Sequence, residues 1–378
     1  MLKIAVLGIG NAGNQVANLA TANQIESFCV NTSERDLDTI DQGISVFLFG
    51  NSEGAGKDRG VAKNYVKTQY SALLNNEIFD SFITDKDIIF IVSSTGGGTG
   101  SGVSIILSDI LSRVYQNKVF INIGILPLLS ESIGAQRNTL EFFKELKNLN
   151  KSYMLYDNNK YKNLSVNECM KKVNSEIIDM MKYIRGDYSY QSSYGMIDDA
   201  DMYKILTVPG MINVSAFENF MEKDMEDNVA LDAYMTKIIR TNATCTLDTD
   251  RIIKRMGVIT NISKELTKYY DASFKAFKEN IGEPVEIFEH YFVSSENEIP
   301  NRYCVILSGL SIPDDRINVT LQRIKEVEEA LARKKESSLI DSIDSLDGLK
   351  VESMQIDRNK SKEKKDIKSI DLNFMDNY

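Results

Sequence analysis

Apolar positions in the first third of the chain follow two alternating rhythms. Residues 4–7, Ser27–Asn31, 45–49, 87–93 and Val119–Leu126 are short, mostly apolar runs with the length of buried strands. Between them the period becomes helical. Val16, Leu19 and Ala20 follow a glycine turn at 8–13. Val103, Ile106, Leu107, Ile110, Leu111 and Val114 share one helical face, and 140–149 carries another. Strands alternating with helices predict an α/β fold whose parallel sheet is covered on both faces.

Further along, the pattern predicts long helices over 166–185 and 217–239. The Tyr-, Ser-, Gly- and Asp-rich stretch 186–205 between them reads as a loop or insertion. Strands at 256–262, 285–293 and 303–310 with a helix at 265–278 predict a second, smaller α/β domain. A charged helix over 314–335 follows, with Ile317, Leu321, Ile324, Val327 and Leu331 on one face. Beyond Glu336 few aromatics remain, which predicts a mobile tail. There is no internal repeat.

Composition narrows the chemistry. Of 378 residues 43% are hydrophobic, enough for a full core, and 44 bases against 54 acids leave a net charge of −10. That balance disfavours a nucleic-acid coat. His290 is the single histidine, and Cys29, Cys169, Cys245 and Cys304 are far apart, so zinc sites and histidine triads are disfavoured. His290 is expected to be structural, and the cysteines to act as small hydrophobes in a reducing cytoplasm. The apolar run at the N-terminus is too short for a signal peptide, and no segment is long enough to span a membrane. The expected location is cytoplasmic.

Two glycine loops follow strands. Gly8-Ile9-Gly10-Asn11-Ala12-Gly13 fits G-x-G-x-x-G, whose amides and helix N-terminus suit phosphate. The second strand ends Val30-Asn31-Thr32 without the acid that would hold a dinucleotide's ribose, which disfavours a nicotinamide cofactor. The second loop, Gly96-Gly97-Gly98-Thr99-Gly100-Ser101-Gly102, offers side-chain-free amides and two hydroxyls as an anion nest. It lacks the Walker lysine.

That loop resembles the GGGTG[ST]G signature of the tubulin/FtsZ superfamily of polymerising GTPases. Gly13-Asn14-Gln15 resembles its first phosphate loop, and Gly54-Ala55-Gly56 its third. Pro127 followed by Glu131, with Arg137, resembles the ribose loop. Residues 156–160 resemble a segment whose Asn, here Asn158, approaches the nucleotide. The base-stacking position falls on Met170 and the guanine-reading Asn on Asn174, whose amide both donates and accepts. Pro209-Gly210-Met211-Ile212-Asn213-Val214-Ser215 with Glu218 resembles the synergy loop, P-G-L-M-N-V-D-x-x-D/E, that one subunit inserts into its neighbour's site; Ser215 stands where the first acid would be.

The resemblance, strongest to segregation tubulins of the TubZ group, implies a GTP-binding domain over 1–216 with the synergy loop at 207–218. A long central helix would join it to a second domain over 217–312, followed by a C-terminal helix at 313–336 and a flexible tail at 337–378. It implies GTP/GDP on Gly10, Asn11, Gly13, Asn14, Gln15, Gly96, Gly97, Gly98, Thr99, Gly100, Ser101, Glu131, Arg137, Asn158, Met170 and Asn174, with Mg²⁺ on ligands left open and Asn213 and Glu218 catalytic. The implied partners are further copies in a head-to-tail filament and a DNA-binding adaptor docked on the C-terminal helix or tail. Neither direct DNA binding nor a membrane is expected. The implied role is phage or plasmid DNA segregation in a bacterial host; alternatives are a filament with little hydrolysis and an FtsZ-like division scaffold.

Overall fold

The computed structural model of the chain describes residues 2–51, 53–186, 195–225, 231–245, 247, 252–294 and 300–336. Its first half is β1 (Ile4–Ile9), α1 (Gly10–Ala22), β2 (Ser27–Asn31), α2 (Glu34–Leu37), β3 (Ser45–Leu48), α3 (Arg59–Leu74), α4 (Glu77–Thr84), β4 (Ile88–Ser94), α5 (Gly98–Val114), β5 (Val119–Leu126), α6 (Ile133–Leu149) and β6 (Ser152–Asp157). A 3-10 turn, Asn158–Tyr161, leads to α7 (Val166–Arg185). Then come α8 (Asp199–Leu206), β7 (Gly210–Glu218), α9 (Leu231–Thr241), β8 (Ile253–Ser263), α10 (Lys275–Asn280), β9 (Pro284–Ser294), β10 (Arg302–Leu310) and α11 (Asp314–Glu336).

The ten strands form one sheet in the order β3-β2-β1-β4-β5-β6-β7-β10-β8-β9. From β3 to β7 all pairings are parallel, and β10 runs antiparallel between β7 and β8. Period-two alternation sorts the core. Ile4 and Val6, Ile88, Phe90 and Val92, and Ile121 and Ile123 join one cluster with Val16 and Ala20 of α1 and Val173 and Ile177 of α7. The opposite face lies under α5, which packs on β4 and β5 between α3 and α6. Gly13 shows how tight this packing is: a Cβ there would sit 2.1 Å from the Val92 carbonyl oxygen.

The helix expected over 217–239 is absent as such. Residues up to Glu218 belong to β7, and helix resumes at Leu231. The synergy loop expected at 207–218 is therefore mostly strand, because β10, about ninety residues downstream, pairs with it from Arg302↔Glu218 to Leu307↔Asn213. Part of the expected 186–205 insertion is α8, capped by Asp198, which accepts from Asp201 N at 2.8 Å. The helix expected over 265–278 divides into a 3-10 turn, Lys264–Tyr269, and α10. Residues 1–321 form one unit; in the second unit the description ends with α11 at Glu336, so the tail at 337–378 lies outside the described residues. Among the described residues no helix is long and apolar enough to cross a membrane.

Candidate nucleotide site

Parallel strands place their following loops at one edge of the sheet, which is where an open α/β sheet builds ligand crevices. Two adjoining cavities, sharing Ala12 and Ser94, lie among the loops after β1, β4, β5 and β6. The larger, ≈ 440 Å³, is bordered by Gly10 and Asn11, by Gly97, Gly98, Thr99 and Gly100, and by Gly54–Lys57. Helices α1 and α5 both begin here. Neither has a side-chain cap or a first-turn acid, whereas α3, α4, α6, α7 and α8 are each capped by an Asp, Asn or Ser side chain. Their first amides are thus left for a ligand, and the helix dipoles favour an anion.

The loops need glycine for close approach. Gly10 has φ +69°, and a Cβ on Gly98 would lie 2.7 Å from the Cα and carbonyl carbon of Lys57. Asn138 of α6 clamps the same junction, donating to Gly96 O at 3.0 Å and Lys57 O at 3.1 Å. Thr32 and Thr99 hydroxyls are 2.6 Å apart at the loop's flank.

Several expected contacts lie elsewhere. The Ser101 hydroxyl is buried, accepting from Arg59 Nε at 3.0 Å and donating to Gly97 O, so it is turned from the phosphate cavity. Arg59 is anchored in turn by Glu145 at 2.8 Å. Gly13 serves packing. Asn14, 1% exposed, holds the β1–α1 turn with its amide nitrogen 3.1 Å from Gly8 O and 3.2 Å from Gly10 O, while its oxygen accepts from Asn31 Nδ2. Gly96 supports the loop through Asn138. Arg137 is on the exposed side of α6 and borders neither cavity; its neighbour Asn138 makes the loop contact.

The structure adds three charged groups to the phosphate cavity, Asp36, Glu53 and Lys57. Lys57 makes no ion pair among the described residues, and its signal was its place directly after Gly54-Ala55-Gly56. Asp36 and Glu53 are hard oxygen donors of the kind Mg²⁺ takes beside phosphate oxygens, so these residues fit that ion. No cluster of three His, Cys, Asp or Glu side chains suited to a metal exists among the described residues.

The smaller cavity, ≈ 190 Å³, brings together Gln15, Glu131, Asn158, Met170 and Asn174, drawn from four separate elements. Asn158 Oδ1 is buried there without a hydrogen-bond partner, an acceptor that a nucleoside N–H or O–H could satisfy. Glu131 Oε1 accepts from Leu128 N at 2.9 Å. Cys169 donates through Sγ to Asn158 O at 3.3 Å; burial, then the nearby Asp157 and Glu131 carboxylates, push its thiol pKa up, so it stays protonated. Met170 offers a thioether face rather than a ring.

Residues 3–165, which carry nearly all of these loops, match the Tubulin/FtsZ family, GTPase domain. Clostridium botulinum phage c-st TubZ superposes with a TM-score of 0.69 at 20% identity, covering 87% of this chain and 99% of that one. The chain has a tubulin/FtsZ fold, within which residues 3–165 are similar to that family's GTPase domain. The tubulin-like protein TubZ of Clostridium botulinum C phage is 26% identical over 301 residues, 76% of this chain and 75% of that protein. The tubulin-like protein CetZ of Pyrococcus furiosus is 28% identical over 198 residues, 47% of this chain and 51% of its own length.

Within this tubulin/FtsZ fold, Asn213 is inside the sheet rather than on an insertable loop. It is 1% exposed, donates to Thr244 Oγ1 at 2.8 Å and accepts from Ser215 Oγ at 3.0 Å. Glu218 ends the strand, accepting from Tyr183 Oη at 2.9 Å and facing Arg302 Nε at 3.2 Å. Sequence reasoning passed over Asp198-Asp199-Ala200-Asp201. This stretch repeats the D-x-x-D spacing of the synergy pattern after an apolar residue, Ile197, with Asp198 as the N-cap of α8 and Asp199 and Asp201 in its first turn. Asp198 and Asp199 are exposed and border a ≈ 170 Å³ hollow with Ile184 and Arg185 at the last turn of α7. Met170, near the first turn of that helix, lines the nucleoside cavity, so the acids and that cavity are separated by about 20 Å along α7.

Proposed function

We propose that this chain binds GTP in the two joined cavities, assembles head to tail and hydrolyses the nucleotide at the junction between copies. The observation that carries this reading is the pair of uncapped, glycine-lined helix N-termini beside a cavity holding the unpaired Asn158 Oδ1. The amides of residues 10–12 and 97–100 cradle the phosphates, and Lys57 adds a positive charge at the γ end. Asp36 and Glu53 would hold Mg²⁺, which supplies further charge neutralisation at the phosphates. Asp198 and Asp201, at the other end of α7, would reach the nucleotide of the next copy and orient its attacking water. This moves the acid role from Glu218 to α8 and leaves Asn213 a structural part.

Similarity to the TubZ of a Clostridium botulinum phage supports moving or partitioning DNA as the biological task, through an adaptor recruited by the C-terminal segment. The reading is tested by phosphate release against protein concentration with GTP and Mg²⁺. Hydrolysis is expected to set in at the concentration where light scattering reports polymer. Release proportional to monomer at all concentrations would overturn assembly-dependent hydrolysis, and polymer without release would favour a scaffold.

Base choice gives a separate check. Asn174 lines the nucleoside cavity, and replacing it by Ala removes an amide able to pair with guanine. GTP binding measured by calorimetry is expected to weaken by about 1–3 kcal/mol, with ATP binding, already poor, little changed. Equal wild-type affinity for ATP and GTP would remove Asn174 from this role.

A further inference from the structure

Arg316, in the first turn of α11, is only 6% exposed, yet it is a guanidinium with no part in the site described so far. Its Nε donates to Asp157 Oδ2 at 2.8 Å, and Nη2 donates to Pro127 O at 2.8 Å and approaches Asp157 Oδ1 at 3.4 Å. Nη1 donates to Thr320 one turn on, whose hydroxyl returns a bond to Arg316 O at 2.9 Å. The fork therefore ties the exit of β5 to the exit of β6.

Those two exits form one side of the nucleoside cavity. Pro127 precedes Leu128, which with Glu131 borders it; Asp157 precedes Asn158, the source of the unpaired acceptor. Asp157 Oδ1 also accepts from Asn159 N at 3.0 Å and so caps the 3-10 turn carrying Asn158. One buried carboxylate thus receives the guanidinium and fixes the turn. A buried ion pair is a weak source of net stability, because desolvation offsets its attraction. Its planar, two-pronged geometry instead specifies how the two loops sit.

We propose that Arg316 is a positioning residue for nucleoside recognition: it locks the Leu128–Glu131 and Asn158 loops in the spacing that grips a guanosine, making the start of the C-terminal helix part of the nucleotide site. The proposal rests on the GTP reading above. Arg316→Lys keeps the charge and volume but loses the fork, and Arg316→Gln is a second, neutral variant should one of them fold poorly. The full chain is used, with thermal melting to establish folding. The probes are GTP and inorganic tripolyphosphate, which can occupy only the phosphate cavity. For folded variants GTP affinity is expected to fall by about tenfold or more, while tripolyphosphate affinity changes by less than about twofold. Asp157→Asn is expected to give a similar loss, and combined with Arg316→Lys to add little, since both break one link. Unchanged GTP affinity in a folded Arg316→Lys, or equal loss for both probes, would overturn the positioning role. Absence of guanine-nucleotide binding by the wild-type chain would overturn the function reading along with it.

Discussion

Gly98→Ala is expected to abolish tight GTP binding while leaving a folded protein. The added Cβ would meet the Lys57 Cα and carbonyl carbon at 2.7 Å and Asp58 N at 2.8 Å. All three are backbone atoms, so no side chain can swing aside. The segment Gly54–Lys57 must retreat from the glycine loop, pulling against the Asn138 clamp on Gly96 O and Lys57 O. The phosphate cavity then loses the apposition of amides and the Lys57 ammonium on which charge-assisted contacts depend. Two such contacts at about 1.5–3 kcal/mol each correspond to a loss of about 100-fold or more in affinity. The core should survive, since Gly98 lies at the start of α5, outside the apolar layers. Calorimetric GTP titration beside a thermal melt measures both effects. A useful contrast is Gly134→Ala on α6, where the nearest atom to a new Cβ is Ser132 Oγ at 3.9 Å. There the helix is expected to gain up to about 1 kcal/mol with GTP affinity unaltered. Tight binding by Gly98→Ala would mean that the two loops do not jointly hold the phosphates.

Asp198→Asn and Asp201→Asn are expected to lower GTP turnover per polymer mass by about 100-fold or more, the range for loss of a positioned acid or base. Asparagine caps a helix as well as aspartate, so Asp198→Asn preserves the start of α8 and removes only the charge. Polymer should still form with GTP, and it should become long-lived. Glu218→Gln is expected to change turnover by less than about threefold, because the wild-type carboxylate already engages Tyr183 Oη and Arg302. Mixing the Asp201→Asn chain, whose nucleotide cavities are intact, with the Gly98→Ala chain, whose acids are intact, offers a stricter test. If the acid acts on the neighbour's nucleotide, the mixture should hydrolyse GTP although neither chain does so alone. A large loss in Glu218→Gln with normal Asp198 and Asp201 variants would return the catalytic role to the end of β7.

The chain's local patterns were enough for β1 to β5, α1, α5 and α6 in the first half of the molecule, and they left α2, α3, α4 and β6 unread. Each buried strand there is a continuous apolar run, each flanking helix repeats at 3.6 residues, and the glycine loops sit where strand gives way to helix. These are short-range signals, so they survive in a single sequence. The same holds for Gln15, Glu131, Asn158, Met170 and Asn174, which occupy familiar spacings and converge on one cavity. What adjacency in the sequence could not separate was loop residues that face the cavity from those that face the core. Gly97 and Thr99 line the cavity, while Ser101, two residues later, turns its hydroxyl to Arg59 because a buried Arg59–Glu145 pair lies on that side.

Tertiary structure alone decided the second half. Residues 210–218 carry the letters of a catalytic loop, yet they become a strand because β10 supplies a hydrogen-bonding edge from far along the chain. Non-local pairing of this kind leaves no trace in a window of ten residues. With Asn213 committed to that sheet, the first acids with D-x-x-D spacing among the described residues after α7 are the exposed Asp198 and the half-buried Asp201 at the start of α8. The sequence by itself determined the fold class, and it marked the glycine loops and the separated residues that line the two cavities, through periodicity and backbone chemistry. Packing determined which residues remain free to meet a ligand or a second copy, because long-range pairing and buried charge, not local pattern, dictate where a polar side chain can point.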